Sequence, residues 1–415
     1  MAVHLTAEEE AMLAGHQGEA VRRALQSQVA VANFFGADRF IPVMSVHLMA
    51  EIESMGEAGL RWVGELAALG QAVCVPTTCN PRSVDFQRWE AIGQSRRQVE
   101  LEERLSHALE RLGVMVVNSC INYQTFNPPR FGEHLAWGDT GAVIFANAVA
   151  GARTNFEGGP AALAAGLTGR APYYGYHLPE PRLGTALVEV RDQPRTTSDW
   201  GALGCYVGRS ANDYWQVPVL TGLETPPTVD QLKHLGACLA SYGSLAMFHL
   251  VGITPEARTV EEAFGGRAPQ RRLEVAPGAL RDTYASFRAE KPEVDLVVFS
   301  APQLSVLELR EVAARLRGKQ IHPRTRLLVT TNAANCAVAD QLGYIRMIEA
   351  AGGLVLSGSC FYLMTPNELA GHFGYHTIVT DSAKLANIIA GYGYNPIFRP
   401  TDVCIEAAIT GSVAS

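Results

Sequence analysis

The sequence predicts an α/β protein in which helices layer against largely parallel sheets. Two observations carry this. Short apolar runs of strand length alternate with amphipathic helical patterns along most of the chain, the signature of parallel strands joined by helical crossovers. With 415 residues, 47% hydrophobic and 18% charged, the chain can bury the cores of two or three domains of ~150 residues each.

The elements follow in order. Thr6 with Glu9 three residues later reads as a capping box at the start of a helix. Residues 56 to 69 are predicted helical and residues 72 to 75 a strand. Residues 95 to 112 form a strongly periodic helix, with a strand at 114 to 117. Later come a strand at 296 to 299, a helix at 304 to 317 and a strand at 326 to 330. A helix at 332 to 351 and a strand at 354 to 356 follow. A segment rich in Pro and charge, 258 to 292, separates an N-terminal α/β region (1–270) from a C-terminal α/β domain (290–415).

Several function classes are excluded early. Net charge is −7, so no general basic surface points to nucleic acid. No apolar run approaches the ~20 residues of a membrane span, and the N-terminus lacks a signal-peptide layout. The eight cysteines include no CxxC pair, which argues against a secreted disulfide framework and for a cytoplasmic protein. P-loop, GxSxG and HExxH motifs are absent from the sequence.

The stretch from Pro128 to Arg182 is polar in places that packing alone would not choose. Glu133, His134, Asp139, Asn147, Arg153, Asn155 and Glu157 lie among apolar residues. Buried charge is costly unless paired or bound, so the stretch is read as a pocket wall for a small anion; a polar domain or subunit contact is the other reading. Arg153 suits a carboxylate clamp because its planar fork donates twice, or it pairs with Glu157. Thr77, Thr78 and Asn80 suit a loop that hydrogen-bonds an anion. Ser382 and Lys384 precede an apparent helix at 385 to 390, whose N-terminus would attract an anion. Asp139 is a candidate base or a cap of the following helix. His47 and His249 lie in apolar strands and read as core histidines. Cys120 and Cys360 each follow an apolar strand, where α/β sheets place ligands, although buried free cysteine is common. The other six cysteines are read as structural.

The same residues resemble a known family. Gly132-Glu133-His134, Trp137, Ala146-Asn147, Gly151-Ala152-Arg153-Thr154-Asn155 and Glu157-Gly158-Gly159-Pro160 resemble the aconitase X family of hydro-lyases. So do Val75 to Asn80 with Asp85, Phe248-His249 with Thr254 to Ala257, and Thr380 to Lys384. The resemblance implies an aconitase-like fold and dehydration of a small hydroxy acid. Family members act on cis-3-hydroxy-L-proline, giving Δ1-pyrroline-2-carboxylate, or on mevalonate 5-phosphate. The first is favoured here because no cation cluster for a phosphate lies near Arg153.

The resemblance also implies iron held at Cys120 and Cys360. It implies a third ligand in the segment that here reads Ser300-Ala301-Pro302-Gln303, so Ala301 stands for a thiol and Gln303 for an imidazole. A [4Fe–4S] cluster, usually held by about four thiolates, is not expected. One iron, or a [2Fe–2S] centre with another ligand such as His134, remains open, as does loss of the metal. Asp139 and Thr140 stand where the family has Glu and Ser, while Gly141 replaces a second Ser. The chain resembles the large subunit of a two-subunit form, which implies a separate small swivelling-domain subunit carrying a serine base; Asp139 is the alternative base. The expected site thus comprises Asp139, Thr140, His134, Ser382 and Lys384 for chemistry, and Thr77, Thr78, Asn80, Arg153 and Asn155 for substrate. A repurposed iron-free enzyme and a non-catalytic scaffold are the competing readings.

Overall fold

The computed structural model describes residues 3–413 and contains three parallel sheets, each covered by helices. The first has Val46–Leu48 between Thr77–Cys79 and Ala136–Trp137. The second runs His249–Leu250, Pro218–Thr221, Ala186–Val190, Arg271–Val275. The third runs Leu354–Ser357, Arg326–Thr331, Leu296–Phe299, Thr377–Thr380, Asn395–Phe398. A short antiparallel pair joins Phe40–Pro42 to Arg170–Pro172.

Burial on both faces explains why the central strands are apolar throughout rather than alternating. Every residue of Val46–Leu48, Leu296–Phe299 and Thr377–Thr380 is buried. Side-chain caps fix where helices begin: Ser95, Thr196, Thr228 and Ser305 each form a reciprocal capping box, as Thr6 does.

The third sheet sets the position of the site. Its first strand in sequence, Leu296–Phe299, is central, and the chain grows outward on one side before returning to the other at Thr377–Thr380. This reversal is a topological switch point, and the crevice beyond its strand ends is where such sheets bind ligands. The first sheet turns its own strand ends toward the same place. Arg82 N–H donates to the Gly358 carbonyl at 3.0 Å, and Ser357 N–H to Asp85 Oδ2 at 2.9 Å.

Three expected elements differ. Residues 72 to 75 are not a strand: Val73 and Cys74 donate to Leu112 and Gly166 carbonyls, each at 2.8 Å, and sheet pairing starts at Thr77. Residues 114 to 117 make a single bridge, Met115 to Thr78, before Asn118 turns the chain away at φ 51°. The helix at 332 to 351 is two helices, Ala333–Gln341 and Tyr344–Ala350, broken at Gly343, whose φ of 81° no helix interior adopts.

Candidate active site

Four loops leave strand ends at the junction of the first and third sheets. Asp139 follows the strand Ala136–Trp137 and caps the helix Thr140–Ala148, its Oδ1 accepting from Gly141 N–H at 3.0 Å. The cap is therefore observed, while its Oδ2 is buried without a partner. Lys384, in the first turn of the helix Ala383–Ile389 beyond Thr377–Thr380, brings Nζ within 3.8 Å of Asp139 Oδ1. Both side chains are almost wholly buried. Burial pulls the ammonium pKa down, but Asp139 and then the thiols of Cys120 and Cys360 outweigh it and hold Lys384 above the usual lysine range.

The two cysteines belong to this centre. Burial pushes the Cys360 thiol up to about 11. Cys120 is pushed higher, first by burial and then by Cys360 and Asp139. Both are already engaged. Cys120 and Gln303 are locked reciprocally, Gln303 N–H donating to Sγ at 3.2 Å and Cys120 N–H to Gln303 Oε1 at 3.3 Å. Cys360 Sγ lies 3.5 Å from Ser300 Oγ.

The donor chemistry does not fit a thiolate-held cluster. Among the described residues no group of three His, Cys, Asp or Glu could hold a metal ion. Ala301 is buried at the third position. The Gln303 amide Nε2 faces the carbonyls of Asn118, Thr331 and Ser359 at 3.1 to 3.3 Å and takes the room of a ligand. An ammonium, Lys384, also occupies the centre, where it competes with a cation.

Other expected residues fall elsewhere. Thr77 and Thr78 lie in a strand rather than an anion loop: Thr77 donates to Val75 O at 3.0 Å, and Thr78 Oγ1 is 2.8 Å from His47 Nδ1. His47 has its pKa lowered to about 4, by burial above all, and its Nε2 has no partner. His249 Nε2 donates to Arg182 O at 2.8 Å, satisfying one end of its ring. Ser382 Oγ accepts from Leu385 N–H at 3.1 Å and donates to Ala301 O at 2.6 Å. Thr140 begins the helix that Asp139 caps.

His134, Arg153 and Asn155 form a separate polar knot. His134 Nδ1 faces His177 Nδ1 at 3.0 Å, and Arg153 donates to the His177 carbonyl at 3.0 Å. Among the described residues Arg153 makes no ion pair with Glu157, whose Oε1 is buried and unpaired. Asn155 pins the turn at 174 to 176: it accepts from Tyr176 N–H at 2.9 Å and donates to Tyr174 O at 3.1 Å. Gly175 fits there because a Cβ would lie 2.2 Å from Asn155 Oδ1. No hydrogen bond links this knot to Asp139 among the described residues.

Two residues at the centre were not singled out from the sequence. Glu51 is fully buried just past Val46–Leu48, and Asn80 donates to its Oε2 at 2.6 Å. Tyr362 follows the last residues of Leu354–Ser357 and carries the Lys384 ammonium 5.9 Å from its ring centroid. Burial raises its phenol strongly, and Asp139, Cys360, Cys120 and Glu51 raise it further. The available signal was position: Glu51, Asn80 and Asp139 are each a polar residue within three positions of an apolar strand end.

Comparison with known proteins identifies the family. Family models for the first, second and third domains of aconitase X match residues 2–180, 184–285 and 294–410. The phosphomevalonate dehydratase large subunit of Methanothermobacter thermautotrophicus is 36% identical over 390 residues, covering 94% of each chain. The cis-3-hydroxy-L-proline dehydratase of Pseudomonas aeruginosa is also 36% identical, over 98% of this chain but 70% of its own length. The crystal structure of Thermococcus kodakaraensis aconitase X in its holo-form superposes with a TM-score of 0.88 at 32% identity, covering 98% of this chain and all of that one.

Proposed function

Because the chain belongs to the aconitase X family, we propose that it is a hydro-lyase that removes water from a small hydroxy acid. The observation that carries this is the buried Asp139–Lys384 pair at the switch point where two sheet edges meet. Elimination needs a base for the proton beside the substrate carboxylate, and a cation for the carboxylate itself. Asp139 Oδ2, unpaired and buried, is the base. Lys384 offsets the Asp139 charge and directs its remaining donors at the substrate carboxylate.

The substrate is cis-3-hydroxy-L-proline. Relatives at equal identity carry the names of both dehydratases, so the choice rests on charge. Lys384, already offset by Asp139, is the one cation found at the centre among the described residues that no backbone carbonyl holds; Arg82 nearby is bound to the Val84 and Ser357 carbonyls. A phosphate would call for more. Mevalonate 5-phosphate is the alternative substrate.

A small subunit completes the enzyme. The chain spans 94% of a relative named a large subunit but 70% of a cis-3-hydroxy-L-proline dehydratase, and in this reading a separate chain supplies the remaining portion. Unpaired cysteines throughout the structure suit a reducing cytoplasm. No step passes through iron in this reading, because the donor set described above does not fit a cluster.

The test is to incubate the chain, with and without its small subunit, with cis-3-hydroxy-L-proline and with mevalonate 5-phosphate, following loss of water by mass spectrometry. Turnover of the first and not the second is expected. Turnover of the second alone would reverse the substrate assignment, and an inert complex would support a scaffold role.

A further inference from the structure

A departing hydroxide is a poor leaving group, and a site with two engaged thiols and no fitting cluster must assist it otherwise. We propose that Glu51 is the acid of this site, delivering a proton to the leaving hydroxyl. The inference rests on the hydro-lyase reading and names the group that reading lacks.

Three observations carry it. Glu51 is wholly buried, yet one of its oxygens, Oε1, has no partner, while the other is held by Asn80 at 2.6 Å. A buried carboxyl with an unused oxygen is costly as an anion and serviceable as a donor. The residue also lies on the side of the first sheet that carries Asp139, held there by Asn80. The strand register supports this, since the chain leaves Val46–Leu48, Thr77–Cys79 and Ala136–Trp137 on the same sheet edge, at Glu51, Asn80 and Asp139. Finally, there is a route for recharging. Ser54, three residues on, lines a cavity of about 640 Å³ together with Met49, Trp62 and Gly159. Burial, the largest influence, raises the carboxyl pKa of Glu51, in keeping with an acid held protonated.

The step balances. Asp139 takes the proton from the carbon bearing the carboxylate, and the released pair forms the carbon–carbon double bond of an enamine, which becomes the Δ1 imine when its N–H proton moves to the carbon that bore the hydroxyl. The carbon–oxygen bond breaks, and the oxygen leaves with that bond's electrons and the Glu51 proton, as water. Asp139 ends protonated and Glu51 ionised; exchange with solvent restores both.

The test uses the complete enzyme, this chain with its small subunit, and the isosteric variant Glu51→Gln. Two substrates are compared, cis-3-hydroxy-L-proline and its cis-3-fluoro analogue, whose fluoride leaves without a proton. For the hydroxy acid, kcat should fall ~10²–10⁴-fold, the usual range for general acid catalysis, with KM nearly unchanged. The fluoro analogue should react within a few-fold of the parent rate. Infrared difference spectra at neutral pH should show a protonated carboxyl band in the parent that is missing in Glu51→Gln. Equal slowing of both substrates would reduce Glu51 to a structural part, and full activity or a missing carboxyl band would also overturn the assignment. A parent enzyme inert toward both acids would instead overturn the hydro-lyase reading, and the acid assignment with it.

Discussion

Replacing Lys384 with methionine tests whether the centre is held by the pair it forms with Asp139. The two charges stand 3.8 Å apart and are nearly inaccessible to water. With an effective dielectric constant of about 20, Coulomb's law gives about 4 kcal/mol for that separation. Removing one partner leaves the other charge buried, which costs about 3–5 kcal/mol. Lys384→Met and Asp139→Asn should each lose stability on that scale, while the double variant should lose about 2–3 kcal/mol less than their sum. The amide introduced by Asp139→Asn keeps an oxygen for Gly141 N–H, so the helix cap survives in the cycle. The assay is urea unfolding followed by fluorescence of Trp137, fully buried two residues before Asp139, with slopes compared so that changed midpoints report stability. Losses that add to within ~0.5 kcal/mol would refute the coupling, and with it the claim that Lys384 neutralises the base.

Three further outcomes follow from the same structure. Burial raises the Glu157 carboxyl from 4.5 to about 7; the folded state therefore binds that proton more tightly, and stability falls as pH rises from about 4.5 through 7. Glu157→Gln should match the parent near pH 5 and exceed it by ~1–3 kcal/mol near pH 8, read as urea midpoints at the two pH values. Gln303→Ala removes side-chain bonds to Cys120, Asn118, Thr331 and Ser359; it should cost at least ~3 kcal/mol through unpaired buried groups and speed the reaction of Cys120 with a thiol reagent. Ala301→Cys supplies a third thiol, so anaerobic reconstitution with ferrous iron and sulfide should give more bound iron than in the parent; equal iron would show that Lys384, not the missing ligand, bars the metal.

Much of the architecture was written locally. Apolar strands of the third sheet and capped helices between them depend on neighbours in sequence, and Leu296–Phe299 and Arg326–Thr331 begin where their patterns do. The segments at 72 to 75 and 114 to 117 have the composition of strands, but the first pairs with no sheet edge and the second meets one only at Met115, a fact of tertiary arrangement. The site shows the same limit. Asp139, Lys384, Cys120 and Cys360 stood out because each follows an apolar run of strand composition. Arg153 and Asn155 were less legible because a guanidinium or amide suits a backbone carbonyl as well as a substrate, and only folding shows which carbonyls they reach: here those of the turn around Tyr174 to His177. Glu51 looked like any acid before a helix. What distinguishes it is Asn80, brought against it from 29 residues away.

The Gln303 side chain joins parts of the chain that are made at different times. Its partners Asn118 and Cys120 lie 183 to 185 residues earlier, and Ser359 lies 56 residues later. During synthesis the first sheet can close long before the third exists, since domains fold largely as units from the N-terminus. Until Ser359 emerges, the loop at 118 to 120 must wait with its thiol and carbonyl unanswered. The reaction centre is consequently the last part of the molecule to become ordered, and a truncated or stalled chain can own a sound first domain yet no enzyme.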